Sequence, residues 1–389
     1  MERAADVIIV GGGLMGAATA FFLRQRGRSV ILLERGLVGQ QASGVNFGNV
    51  RGSNRGLYQL PLVNRSRAIW ERLPALLGES CEFLPTGRVI VAFNEERLAI
   101  LEKYTRDSAP YGLRMEMVPR AEINARFSFL SNRPIGAAFA PLDGHANPRL
   151  TAPAFGRAAG RAGANVYENI EVQTIDKVGE DFVVSAGEKG AFRAPVCLVT
   201  AGAWANAFSS KFGESVDLVA RGPQMSVTEP VPYRIGPAIG ISTSNPMEGI
   251  YVRQVERGNI VIGGGPRGPA YADLRRAYVI PEHTLNQLQQ LKAILPMTRP
   301  LNIIRVWSGI ESYLPDETPI MGPSSKVPGL FYAFGFCGEG FQLGPGVGDV
   351  MAELIDTGST VTPIEPFHIS RFFKERAATS QTNTAIDAD

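Results

Sequence analysis

The residues best suited to chemistry stand at the start of the chain. Asp6-Val7-Ile8-Ile9-Val10 runs directly into Gly11-Gly12-Gly13-Leu14-Met15-Gly16, and Glu34 follows Leu32-Leu33. A short β-branched run reads as a buried parallel strand, and the glycines let the chain turn so that a helix N-terminus faces a pyrophosphate. In such an arrangement Gly11 serves the turn, Gly13 the close approach to phosphate, and Gly16 the packing of helix on strand. Glu34, roughly twenty residues after the glycines, accepts hydrogen bonds from ribose hydroxyls and repels a 2′-phosphate. The predicted chemistry is retention of an adenosine diphosphate moiety lacking that phosphate, which disfavours NADP.

A second glycine-rich stretch comes late, in Gly335-Phe336-Cys337-Gly338-Glu339-Gly340-Phe341-Gln342-Leu343-Gly344-Pro345-Gly346-Val347-Gly348. It reads as a bend leading into a helix over Asp349–Ile355. Bare N–H groups there can approach a ligand, and the positive end of the helix would stabilise developing negative charge, for which an anionic reduced flavin is one suitable recipient. Between the two, Gln40–Asn49 is small, polar and punctuated by glycine. It reads either as a ligand-lining loop, with Ser43, Asn46 and Asn49 offering hydrogen bonds, or as plain surface. His145, in Asp143-Gly144-His145-Ala146-Asn147-Pro148, reads as a turn organiser rather than a base.

Bulk properties bound the rest. The 389 residues suffice for two domains, and 44% apolar with 20% charged composition describes an ordinary globule. A net charge of +2 gives no footprint for nucleic acid. Cys81, Cys197 and Cys337 are widely separated, and His145, His283 and His368 lack metal-ligand spacing, so no metal is expected. The first apolar run is too short for a membrane span and no cationic leader precedes it; a cytoplasmic location is expected.

These features need elements to position them. The pattern predicts a helix over Ala17–Gln25, a strand over Ser29–Leu33, an amphipathic helix over Pro61–Leu77, a strand over Gly87–Phe93 and a helix over Glu95–Ala109. Strands are predicted at Met225–Glu229, Gly249–Arg253 and Asn259–Gly264, suggesting an antiparallel sheet. A helix at Leu150–Gly163, strands at Val166–Val172 and Leu330–Phe334, and over Val196–Trp204 a strand breaking into a glycine turn, return to the nucleotide-fold character. The class is α/β, α+β overall, with two interleaved domains: 1–82, 146–222 and 305–366 form a Rossmann-like unit, 83–145 and 223–304 a substrate unit on the antiparallel sheet, and 367–389 a tail.

Taken together, Gly11 to Gly16 with Glu34, the Ala42-Ser43-Gly44 and Asn46 loop, Thr200-Ala201-Gly202-Ala203-Trp204, Pro315-Asp316 to Gly322, and Gly338 to Gly348 resemble the flavoenzymes like D-amino-acid oxidase, glycine oxidase and sarcosine oxidase. The resemblance covers nearly the whole chain. In wording the Gly335–Gly346 stretch is most similar to flavin-bearing subunits of heteromeric dehydrogenases for opines, proline, hydroxyproline and related imino acids. The family implies FAD bound in extended form, with the antiparallel sheet roofing the flavin. Cofactor contacts implied are Gly11, Gly13, Leu14, Met15, Gly16, Glu34, Arg35, Ser43, Gly44, Asn46, Gly48, Val172, Ala201, Gly202, Trp204 and Gly309, with Gly338, Glu339, Gly340, Phe341, Gln342 and Leu343 from the late stretch.

Two departures sharpen that expectation. Gly309–Tyr313 has no Cys where monomeric sarcosine oxidases attach the flavin, so FAD should be noncovalent. Where glycine and D-amino-acid oxidases carry a carboxylate-clamping Arg, this chain has Glu311. Carboxylate capture then falls to Arg51, Arg55 or Arg253, or the substrate presents a cation to Glu311; alternatively Glu311 pairs with an Arg such as Arg305 away from substrate. Tyr251 resembles a carboxylate-contacting position, or simply packs. The favoured reading is oxidation of the CH–N bond of an amino or imino acid by hydride transfer to flavin N5, in one chain of a heteromeric dehydrogenase. FMN or an iron–sulfur centre would then come only at a partner interface, because three dispersed cysteines cannot supply four thiolates. A stand-alone oxygen-using oxidase, a nicotinamide-dependent dehydrogenase and a flavin-bearing electron-transfer subunit are the alternatives.

Overall fold

The protein is described here by a computed structural model over residues 3–373; the expected polar end at 377–389 lies outside the described residues. Val7–Val10 and Val30–Leu33 are buried at every position, which requires cover on both faces. They sit inside a six-stranded sheet ordered Ile320–Pro323, Leu330–Phe334, Val196–Val199, Val7–Val10, Val30–Leu33, Asn165–Tyr167. Every neighbouring pair is parallel except the first, which is antiparallel. Val7, Ile9, Val30 and Leu32 pack with helices Leu14–Gln25, Pro148–Arg161 and Gly340–Thr357 on one face. Ile8, Val10, Ile31 and Leu33 pack on the other against Phe182, Val184 and Phe192 of a four-stranded sheet. The alternation of Cβ directions along a strand makes both sets apolar at once.

A second sheet of eight strands runs Ile303–Ser308, Gln224–Pro230, Asn259–Gly264, Ile250–Gln254, Ala238–Ile241, Arg88–Ala92, Gly136–Ala140, Glu116–Pro119. It is antiparallel as expected, with one exception: Ala238–Ile241 lies parallel to Arg88–Ala92. That pair joins two chain segments far apart in sequence, so no hairpin dictates its direction. Helix Pro281–Ile294 closes one face through Leu291 and Ile294. The class is therefore α/β with a large, mostly antiparallel second sheet.

Several expected boundaries shift. Pro61–Leu77 is two helices, Leu60–Trp70 and Leu73–Leu77, each with proline in its first turn. The strand expected over Val166–Val172 stops at Tyr167, and Asn169 takes a left-handed φ of 59°. Ile303–Ser308 belongs to the eight-stranded sheet through Gln224–Pro230, so a boundary at 305 cuts a strand. The expected tail from 367 is packed at its start: Phe367 and Ile369 are buried and Arg371 bonds Asp316.

The largest correction concerns the late glycines. The bend is confined to residues 335–339, and the helix begins at Gly340 rather than Asp349. A Cβ on Gly344 would lie 2.4 Å from Leu14 Cδ2, one on Gly346 2.7 Å from Ser66 Cβ, and one on Gly348 2.4 Å from Ala18 Cβ. These glycines bring helices together; they do not turn the chain. Pro345 disturbs the helix ladder, and the neighbouring polar groups are re-partnered: Trp70 Nε1 donates to Gln342 O at 2.9 Å and Gly346 N donates to Ser66 Oγ at 3.1 Å.

Candidate active site

A cavity of about 860 Å³ opens at the carboxyl ends of the parallel strands, where open α/β sheets take their ligands. Both bends line it, and the helices that follow them touch at their first turns: a Cβ on Gly340 would lie 2.8 Å from Met15 Cε. In the first bend Gly11 holds a φ of +110°, and a Cβ there would lie 2.6 Å from Thr200 O. Helix Leu14–Gln25 starts with no side chain of its own cap residue Gly13 closing its end. Ser43 Oγ accepts from Leu14 N at 2.9 Å, which fixes the loop above that helix end.

Glu34 stands at the end of Val30–Leu33, and its carboxylate accepts from Gly12 N and Gly36 N, each at 2.7 Å. Two backbone donors orient it while it still lines the cavity. Beside it the Arg35 guanidinium lies 4.0 Å from the Trp204 ring centroid. Burial, with Arg275 nearby, pulls Arg35 below its ordinary value. Ser43, Asn46, Gly48, Val172, Ala201 and Gly202 all reach the cavity wall. The Asn46 side chain is spent on its own loop, donating to Ala42 O and Ser43 O and accepting from Gly48 N at 2.8 Å.

The opposite end is charged. Tyr251, from Ile250–Gln254, meets Phe47 edge-on at 4.6 Å, and burial pushes its hydroxyl up to about 12. Glu311, from Glu311–Tyr313, accepts the Tyr313 hydroxyl at 2.7 Å; burial raises its carboxyl, with Tyr313 and Arg267 acting against that rise. Arg267 lies over the Tyr313 ring at 4.4 Å. Glu339 faces Arg55 at 2.9 Å and Arg51 at 3.7 Å. Burial alone would raise the Glu339 carboxyl, but these guanidiniums hold it below the ordinary value. Arg88, 6% exposed, completes this corner and donates to Ser53 Oγ at 3.0 Å.

Not every candidate residue is at the wall. Gly16 abuts Gly11 O, Gly44 abuts Gly39 O and Gly309 abuts Val45, so all three serve packing behind the cavity. Gln342 donates to Val63 O at 3.1 Å and Leu343 is core. Arg253 is buried away from the cavity, its Nε bonded to Phe47 O at 2.6 Å, and so drops out as a carboxylate clamp. Arg305 is exposed on its strand and does not meet Glu311, whose hydrogen-bonding partner is Tyr313. His145 is buried outside the cavity, pulled down to about 3 by burial and by Arg253, and is held neutral. Arg88, Arg267 and Tyr313 escaped the sequence reading. Arg88 alone left a signal, a charge opening the apolar run Val89-Ile90-Val91-Ala92.

The chain is similar to several known proteins. Glycine oxidase of Geobacillus kaustophilus (strain HTA426) is 28% identical over 383 residues, spanning 95% of this chain and 98% of the relative. An opine oxidase subunit of Agrobacterium tumefaciens (strain Ach5) is 25% identical, spanning 96% and 99%. Human mitochondrial sarcosine dehydrogenase is longer: the chain, 26% identical and matched over 96% of its own length, spans 42% of it. L-proline dehydrogenase from P. horikoshii shares the fold, with a TM-score of 0.89 and 24% identity over 96% of this chain and 99% of that one. No helix among the described residues is long and apolar enough to cross a membrane. Residues 6–354 match the family described as DAO, FAD dependent oxidoreductase, so the chain belongs to that family and is an FAD-dependent oxidoreductase.

Proposed function

We propose that the chain binds FAD noncovalently along this cavity and oxidises the CH–N bond of an amino or imino acid, a secondary amine such as an opine, proline, hydroxyproline or sarcosine. The observation that carries the reading is the meeting of the two bends on one cavity with Glu34 at one end and Tyr251, Glu311 and the four arginines Arg51, Arg55, Arg88 and Arg267 at the other. The donor set fits the cofactor. Two helix N-termini, neither closed by the side chain of its own cap residue, suit a diphosphate and an electron-rich ring, and an oriented carboxylate suits ribose. Bound there, FAD supplies the two-electron acceptor, at N5, for a hydride from the carbon beside nitrogen.

The chain's own residues position substrate and keep water out. Arg51 and Arg55 hold a carboxylate, Tyr251 bounds the substrate, and Glu311 meets the amine end or a cationic side chain. Cys337 reaches the wall, but its thiol donates to Gly335 O at 3.1 Å and burial pushes it up to about 11, so it is a poor nucleophile for flavin attachment. The similarity to an opine oxidase subunit over nearly its full length favours a heteromeric dehydrogenase, with FMN or an iron–sulfur centre confined to a partner interface. Three free, buried thiols suit the cytoplasm.

Anaerobic titration of the purified yellow protein with proline, hydroxyproline, sarcosine, octopine and nopaline tests this. Bleaching of the flavin by at least one amine is expected; bleaching by none, with reduction only through added electron carriers, leaves an electron-transfer subunit. Oxygen uptake during turnover would favour a stand-alone oxidase over a heteromer. For Glu311→Ala, activity on cationic substrates should fall at least tenfold more than on neutral ones, and an equal loss on both removes the recognition role.

A further inference from the structure

Glu311 is held against the second bend. Its strand, Glu311–Tyr313, is tied to that bend where Cys337 N donates to Ser312 O at 3.1 Å. A Cβ built on Gly338 would lie 3.4 Å from Glu311 Oε2, 3.4 Å from the Tyr313 hydroxyl and 3.9 Å from Arg267 Nη2, so the three groups converge on one point of the bend. All of them, with Tyr251, line the cavity.

Among the described residues Glu311 carries no ion pair. Its one hydrogen bond comes from the Tyr313 hydroxyl to Oε2 at 2.7 Å, and Oε1 accepts none. The groups around it are Arg267, 4.4 Å from the centre of the Tyr313 ring, Arg221, 5.9 Å from the same ring on the strand paired with Glu311, and the Tyr251 hydroxyl. Burial keeps the Glu311 carboxyl above its ordinary value, against the pull of Tyr313 and Arg267. A carboxylate shielded in this way holds a proton better than one in water.

A secondary amine in water is mostly an ammonium, and an ammonium has no lone pair to assist the departure of a hydride from the neighbouring carbon. One proton must leave nitrogen before the C–H bond breaks. Building on the proposed amine oxidation, we infer that Glu311 is the proton acceptor of that reaction, taking the ammonium proton on Oε1, with Tyr313 as the positioning residue that holds the carboxylate through Oε2. An N–H bond breaks and an O–H bond forms on Glu311. The lone pair left on nitrogen forms the C=N bond as the hydride, with its electron pair, leaves carbon for the bound FAD, and the product departs as an iminium. The group that faces Glu311 is then the amine rather than a cationic side chain.

Anaerobic stopped-flow bleaching of the FAD-loaded protein by sarcosine and by proline, followed across pH, gives a limiting rate and a Kd at each pH. In wild type the limiting rate should rise through a transition well below the amine's own value in water, roughly 10 for an alkylammonium. Glu311→Gln keeps the shape of the group and its bond to Tyr313, so its limiting rate at pH 7 should fall about 10²–10⁴-fold and recover as pH approaches the amine's own value. Tyr313→Phe keeps the acceptor, and its transition should stay below that value. Calorimetry with 2-aminoisobutyrate, which has no hydrogen on the carbon beside nitrogen, gives a readout without turnover: Glu311→Gln should bind it about tenfold more weakly at pH 7, with the gap closing toward pH 10. A higher Kd in Glu311→Gln with the limiting-rate profile unmoved overturns the inference. So does a wild-type transition at the amine's own value, which decides the matter if the variants do not fold. Bleaching that Glu311→Gln leaves unchanged sinks only the proton role, whereas no bleaching of wild type by any amine at any pH sinks the amine oxidation itself, and the calorimetric gap then decides for Glu311.

Discussion

Glu339 shows how a single side chain serves both stability and the site. It closes the second bend, accepts from Gln59 Nε2 at 2.8 Å and neutralises Arg55, which is 4% exposed and pulled down to about 10 chiefly by burial. Because its folded carboxyl lies below the ordinary value, its contribution is present above an unfolded value of about 4.3 and is lost as pH falls through the lower folded value. Glu339→Gln leaves Arg55 buried without its counter-charge and should cost about 3 kcal/mol at pH 7. Urea denaturation at pH 7 and in the acid range checks this. The gap between variant and wild type should narrow in acid, where wild-type Glu339 becomes protonated; a gap independent of pH would mean that packing, not charge, holds the bend. Tyr251 and Glu311 shift the opposite way, since burial raises both.

At the scale of elements, glycine has two opposed uses, and the structure separates them. Gly348, in helix Gly340–Thr357, faces helix Leu14–Gln25 with Ala18 Cβ 2.4 Å from where its own Cβ would be; Gly160, in helix Pro148–Arg161, faces nothing within 4 Å. Gly348→Ala should therefore lower stability by about 1–3 kcal/mol through overpacking, and weaken FAD retention because the same helix starts at the cavity. Gly160→Ala should raise stability by about 0.4–1 kcal/mol. Opposite shifts in melting temperature are the readout, and shifts of the same sign would remove the helix-contact argument. This contrast also explains what the sequence made legible. The first bend was readable because strand, turn, helix and acid are local, and strands Asn259–Gly264 and Leu330–Phe334 follow from uninterrupted apolar runs. The start of the last helix was not, because composition cannot tell a glycine that turns from one that packs. Arg88 and Arg267 owe their position to Gly240, Ser53 and Tyr313, distant in sequence, and Arg253 lost its expected role to a carbonyl on Phe47.

For the whole molecule, one cavity draws its walls from both large sheets. Val10, Leu33 and Phe334 come from the six-stranded sheet, and Gln224, Met225, Ile241 and Tyr251 from the eight-stranded one. The chain passes between them several times, and Ile303–Ser308 leads through Gly309 into the Glu311–Tyr313 strand at the cavity wall. A ligand that fills this space touches both units and stabilises both by mass action, about 2.7 kcal/mol at a free concentration one hundred times its Kd. Removing FAD should therefore lower the melting temperature of the whole chain in one step, and adding it back at rising concentration should move that single transition upward. Calorimetry of apo and FAD-loaded protein measures this. Two transitions, only one of them moved by FAD, would mean that the sheet bearing Tyr251 folds and melts independently of the bound coenzyme, and that substrate and flavin are brought together by a motion rather than by a shared wall.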